Sequence, residues 1–264
     1  MAILESGAKT GVSWVKESIA LFRLQPSKWL LLALAYIGIF MMLPSLPGLG
    51  FFALLTVLIW PVFTAFAVML FRNAELGKSE TIQQTFAHVK PSLPVLISLG
   101  LACLVYATLI SFVLNADVQS LIPFAQNKAP MDETKAMLFM QKLMPLMFKL
   151  LLLLIPLLIS TWFSPMLIVI NRYSLVKAIK SSIAGALQYT VAMGAAWLLL
   201  SAGIMLFMLV AGLLIGILAQ ILPFLAQTLM PTFIFGVLLV ATALMFAFQY
   251  VTYRDIFRAA TVEI

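Results

Sequence analysis

The sequence predicts an all-α fold, a polytopic membrane bundle of six transmembrane helices with three amphipathic interfacial helices on the cytoplasmic side. Three observations predict it. The chain is 64% hydrophobic and 9% charged, with a mean hydropathy of +1.13 over 264 residues, whereas a water-soluble domain is about a quarter charged. Six apolar stretches approach or exceed the roughly 20 residues that cross about 30 Å of hydrocarbon. Every Asp, Glu, Lys and Arg lies outside those stretches, and the basic ones fall mainly on alternate connections.

The spans are read at 29–46, 51–71, 93–114, 150–170, 191–222 and 232–252. They form one membrane domain over 1–264, with an amphipathic lead-in at 1–28, the bundle at 29–252 and a tail at 253–264. A transmembrane β-barrel would alternate in polarity, but Leu150-Leu151-Leu152-Leu153-Leu154-Ile155 is apolar on every face. The lead-in is too long and too polar for a cleavable signal, so it is expected to stay attached.

Orientation follows from Lys and Arg in the short flanking segments. One side holds Lys9, Lys16, Arg23 and Lys28, then Arg72, Lys78 and Lys90, then Arg172, Lys177 and Lys180, and finally Arg254 and Arg258. The other holds only Lys128, Lys135, Lys142 and Lys149. Both termini are therefore expected in the cytoplasm. The net charge of +7 is mostly this topology signal rather than a nucleic-acid patch.

Each amphipathic helix precedes a hairpin of two spans. In the lead-in, Val12, Val15, Ile19 and Phe22 form an apolar stripe, Lys9, Lys16 and Arg23 line another face, and Pro26 ends the helix. This helix is expected to lie in the membrane surface. In the second connection Ser79 is expected to cap a helix with Ile82, Phe86 and Val89 on one side, ended by Pro91. In the fourth, a helix from Ser174 sets Leu175, Ile179, Ile183 and Ala186 against Lys177 and Lys180. The pattern suggests a threefold repeat of one unit, although Ser13-Trp14-Val15-Lys16 against Ser174-Leu175-Val176-Lys177 is the best local match.

The lead-in Gly11-Val12-Ser13-Trp14-Val15-Lys16, the Leu21-Phe22-Arg23 with Pro26 and Trp29, the 44–50 hairpin and the closing Tyr250-Val251-Thr252-Tyr253-Arg254-Asp255-Ile256-Phe257 resemble an uncharacterised family of bacterial six-span inner-membrane proteins. More distantly, the pattern is similar to the membrane region of some glycerophosphodiester phosphodiesterases, whose soluble barrel is not expected in this sequence because no stretch outside the spans is long enough for a domain. The resemblance implies fold and a bacterial inner-membrane location and carries over no catalytic residue.

The chemistry-bearing residues are few. His88 and Cys103 are the sole His and Cys, too few for a metal site, and no cofactor is expected. Cys103 reads as a small buried residue and His88 as a headgroup-level one. All nine carboxylates lie outside the spans, which disfavours ion-coupled transport and intramembrane proteolysis. Pro61, Pro156 and Pro165 fall within spans and are expected to kink them.

Three polar features remain. Lys135, Lys142 and Lys149 recur every seven residues on one face running into the fourth span and could hold an anionic headgroup, unless Pro145 breaks the helix. The simpler account is that they snorkel along an interfacial helix. Arg72, Arg172 and Arg254 each follow an even-numbered span, as anchors or as a basic rim for anionic lipid or a partner's acidic tail. Gly212, Gly216 and Gln220 share one face, expected to pack against another helix of the same chain.

The expected function is non-enzymatic organisation of membrane lipids, or of a partner protein, with no nucleic acid involved. The alternative is a passive carrier or permease for a lipid or other apolar solute. A cavity lined by Gln220, Gln249, Ser111 or Thr108 would favour the carrier and a solid core the organiser.

Overall fold

A computed structural model describes residues 2–126 and 132–257. Lys128, Arg258 and the tail beyond it lie outside the described residues. The elements are α1 (Ala2–Leu24), α2 (Pro26–Ile37), running on through a π-helical turn (Gly38–Met42) into α3 (Leu43–Ser45), α4 (Phe52–Glu75), α5 (Ile82–Val89), α6 (Leu93–Gln119), α7 (Ile122–Gln126), α8 (Glu133–Thr161), α9 (Ser164–Val169), α10 (Leu175–Gln188), α11 (Thr190–Ile221) and α12 (Pro223–Ile256). Six helical stretches are long and apolar enough to cross a membrane, and the chain is a multi-pass membrane protein.

The spans form an open row rather than a closed ring. α8 packs on α6, α6 on α4, α4 on α12 and α12 on α11, with α2 against α12. Along their far halves α8 and α11 therefore have one neighbouring span each, α6 and α12. Exposures of 74% at Leu198, 71% at Met205 and 71% at Ile221 show α11 turning bare apolar surface outward, as a lipid-facing helix does. α11 and α12 are long, at 32 and 34 residues.

The three connecting helices close one end. α5 packs on α4, α10 on α8 and α9, and α1 on α11 and α12. Each thus sits on the hairpin before its own, with α1 completing the cycle on the last. The same placement recurs in all three units. We call this end, with the last turn of α12, the basic face and the opposite end the far face.

The buried side of α1 is Gly11, Trp14, Val15, Ser18 and Leu21, turned about one residue from the expected stripe; Val12 is exposed. The reason is a close helix crossing. A Cβ at Gly11 would collide with the Ala192 carbonyl, and one at Gly7 would meet Val191 Cγ1 at 2.8 Å. Gly7 and Gly11, four residues apart, lie against Val191, Ala192 and Ala196, the small-residue geometry of close helix pairs. A second such crossing is α4 with α6, where a Cβ at Gly100 would strike the Leu58 carbonyl.

Most of the aromatic core lies in the half nearer the basic face. Trp29 stacks on Phe71 at 3.8 Å between centroids, and Phe248 is packed by Trp14, Trp162 and Trp197. At its centre is α9, buried throughout. The fourth span breaks just before it, because the ring of Pro165 would clash with the carbonyl four residues back, at Thr161. α8 by contrast runs unbroken through Pro145 and Pro156. At the break the Ser182 hydroxyl of α10 donates to the Ile159 carbonyl (2.8 Å) and accepts from the Phe163 N–H (3.1 Å). It stands in for the missing turn of backbone ladder. The Gln249 amide donates to the Trp162 carbonyl at 2.8 Å, tying the break to α12.

Candidate anion site on the basic face

The end of α4 is turned back on itself. The Lys78 N–H donates to the Asn73 carbonyl (2.9 Å) and the Gly77 N–H to the Ala74 carbonyl (3.2 Å). Gly77 sits at φ +64, a conformation that costs a glycine little. Thr81, rather than Ser79, then caps α5. Its hydroxyl accepts from the Gln84 N–H (3.2 Å) while Gln84 Oε1 accepts from the Thr81 N–H (2.8 Å). Gln84, three residues on, is what selects Thr81, since only that spacing completes the reciprocal pair.

Through this turn Lys78 and Glu80 fold over Arg72 and the buried Asn73. The Asn73 amide donates to Glu80 (2.8 Å) and to the Thr85 hydroxyl (3.0 Å), and His88 Nε2 lies 3.5 Å from Glu80.

The opposite wall comes from the end of the fourth span. Arg172 holds φ 55, the one non-glycine positive φ among the described residues. A non-glycine residue there costs about 1–3 kcal/mol, and its side chain shows what holds it. Nη1 donates to the Ser92 hydroxyl at 2.8 Å, and Nη2 reaches the His88 carbonyl at 3.4 Å. Ser92 donates onward to the Ile168 carbonyl (3.4 Å).

The result is a pocket of about 80 Å³ lined by Arg72, Asn73, Lys78, Glu80, His88 and Arg172 over Met69, Val169 and Ile170. Three cationic side chains against one carboxylate leave +2 with His88 neutral. Among the described residues, the Arg72 guanidinium and the Lys78 ammonium have no hydrogen bond or ion pair. Arg72 and Arg172, both expected headgroup contacts, are thus brought together. Lys78 and His88 join them unforeseen; the one signal in the sequence is that the second and fourth spans end in Arg72-Asn73 and Asn171-Arg172.

Arg254 has a different place. It is ion-paired with Glu17 and Glu75, and Glu75 also accepts from the Tyr250 hydroxyl. Nearby, Trp14 Nε1 donates to Asp255 (3.0 Å) and the Tyr253 hydroxyl to Asn171. This cluster fastens α1, α4 and α12 together, and Arg254 is a strut of the fold.

On the far side, Lys142 and Lys149 of α8 are directed at the α6 end, whereas Lys135 turns to the cap of its own helix. Lys149 pairs with Asp117 at 2.8 Å, Lys142 reaches the Ser120 carbonyl at 3.4 Å over the Phe124 ring, and Lys135 pairs with Asp132 at 3.4 Å. Asp132 also caps α8, and the Lys135 N–H on its carboxylate holds it below the usual carboxylate range.

Among the described residues, the expected packing of Gly212 and Gly216 does not occur. A Cβ at either meets nothing within 4 Å, and Gln220 is exposed. The glycines that do pack closely are Gly7, Gly11, Gly100 and Gly185.

Two of the apolar clefts between spans bear on the carrier reading. One, of about 400 Å³, lies between α11 and α12 along Gly203, Phe207, Phe233 and Gly236. The other, of about 350 Å³, is lined by Tyr36, Phe40, Thr56, Trp60, Cys103 and Thr161 among others. Neither is lined by Gln220, Gln249, Ser111 or Thr108. Thr108 and Ser111 bond back to their own helix.

Comparisons with protein-family models, curated proteins and solved structures return no match.

Proposed function

We propose that this chain is a non-enzymatic protein of a bacterial inner membrane, with both termini cytoplasmic, that organises anionic lipid at the cytoplasmic surface. The pocket at the ends of the second and fourth spans carries the reading, because it gathers net positive charge at the span ends and, among the described residues, leaves Arg72 and Lys78 with no hydrogen bond or ion pair. Juxtamembrane cations of this kind draw anionic headgroups, each by about 1 kcal/mol. The remaining basic candidates support it less, because Arg254, Lys135 and Lys149 already face carboxylates.

The alternative is a passive carrier for a lipid or apolar solute. It draws on the two lateral clefts, but their linings offer few polar groups to select a solute. Native mass spectrometry of the protein in mild detergent tests the proposal. Stoichiometric anionic lipid is the expected result. Retention of an uncharged apolar solute would favour the carrier, and retention of a protein partner without lipid would make this an assembly factor.

A further inference from the structure

We propose that the Arg72–Arg172 pocket is a binding site for a phosphomonoester, the terminal phosphate of a lipid or of a soluble metabolite. In its membrane location this rests on the reading above; in its chemistry it stands on the pocket alone.

Three features carry it. The first is size. About 80 Å³ is well below the roughly 300 Å³ at which pockets begin to enclose small molecules, so only the head of a ligand enters and the rest stays outside. The second is charge. The net +2 matches a terminal phosphate, which carries about −1.5 to −2 at pH 7, better than a phosphodiester with a single negative charge.

The third is the kind and spread of donors. Two guanidiniums and one ammonium approach from separate segments, Arg72 from α4, Lys78 from the turn after it and Arg172 from the end of the fourth span. Guanidinium forks match phosphate oxygens two at a time, and a terminal phosphate has three free oxygens where a diester has two. The Arg172 guanidinium is fixed at the pocket wall by its Ser92 and His88 contacts, and each terminal nitrogen keeps a second N–H for a ligand. Glu80 faces the same space and would repel an anion, but its carboxylate is turned to Asn73 and His88.

The test uses the full chain in detergent. Phosphatidic acid and phosphatidylglycerol with identical acyl chains are titrated separately and read by native mass spectrometry, and glycerol 3-phosphate is titrated by calorimetry. Phosphatidic acid is expected to bind at least about ten-fold more tightly than phosphatidylglycerol, the scale of one charge-assisted hydrogen bond. Arg72→Gln with Lys78→Gln should weaken that binding by about 100-fold and remove the preference. Arg172→Gln is set aside because it would also free Ser92, and Lys142→Gln on the far face should change nothing.

Competition by glycerol 3-phosphate at similar affinity would identify a soluble phosphomonoester as the ligand; binding of the lipid alone would identify the headgroup. Equal affinity for the two lipids, or binding that ignores the double variant, overturns the proposal while leaving lipid organisation standing. Binding of glycerol 3-phosphate with no retained lipid supports the pocket and overturns the lipid-organising role. If no phosphomonoester binds in any form, the proposal fails.

Discussion

The two ends of this molecule are held by different physics. Toward the basic face, three connecting helices, a broken span and a net of charged and aromatic side chains bury whole helical turns, as at α9. Toward the far face, α8 keeps α6 and α11 keeps α12 as its neighbouring span, and the separate buried cluster is only Ile110, Leu114 and Leu146. Apolar surface there has nothing to gain by leaving lipid, so close packing depends on small residues and hydrogen bonds. Those devices are concentrated at one end.

One substitution made at both ends breaks the comparison most directly. Gly100→Ala drives a Cβ into the Leu58 backbone and is expected to destabilise by about 3 kcal/mol, the upper part of the overpacking range. Gly212→Ala and Gly216→Ala meet open space and should stabilise slightly, by about 0.5 kcal/mol, through helix propensity. Unfolding titrations in mixed micelles measure both. Equal losses at the three positions would mean that α11 packs against something in solution.

Ser182→Ala comes next. It strips both the Ile159 carbonyl and the Phe163 N–H of their partner and should cost about 1–3 kcal/mol. Ser111→Ala, which removes only a back-bond on an exposed face, should fall within about 0.5 kcal/mol.

A smaller contrast lies in the ion pairs. Arg254→Gln removes a partner from both Glu17 and Glu75 and is expected to cost about 1–2 kcal/mol after allowance for partial exposure. Lys149→Gln, at an exposed pair with Asp117, should cost under about 1 kcal/mol.

The smallest effect is one of pH. Because folding lowers the Asp132 pKa, its capping contribution is present above the unfolded value of about 3.9 and is lost as pH falls through the folded one. Protection of the first-turn amides of α8, after correction for the intrinsic pH dependence of exchange, should therefore fall in acid below about pH 4 while protection in α9 is kept. Unchanged protection at Lys135 would remove Asp132 as the cap.

The spans and their order were legible because a bilayer-length apolar run bounded by charge leaves few other readings. Side-chain pairing was less so. The Gly-x-x-x-Gly at Gly212 and Gly216 is conspicuous inside an apolar run but faces outward. The equivalent pair at Gly7 and Gly11 makes the close crossing, and it sits in a polar lead-in where membrane packing is not sought. The expected stripe on α1 missed by one residue because hydrophobicity ranked Val12 above Gly11. The anion pocket was half legible. Arg72 and Arg172 stand out as charges at span ends, but 99 residues separate them (172 − 72 − 1), and only the turn at Gly77 and the bent end of the fourth span bring them together.

The length of the α11–α12 hairpin sets a demand on its surroundings. At about 1.5 Å per residue, the 32 residues of α11 span about 48 Å, and no charged residue interrupts the chain between Lys180 and Arg254. Even at the steepest common tilt, about 40°, such a helix outruns the roughly 30 Å of hydrocarbon in an average bilayer. Upright, it reaches from one headgroup layer to the other. The hairpin thus exceeds the hydrocarbon thickness of an average bilayer. Long-chain lipids that swell the leaflets beside it lower the mismatch energy, by fractions of a kcal/mol per Å, and a thin bilayer leaves its tip standing among the headgroups.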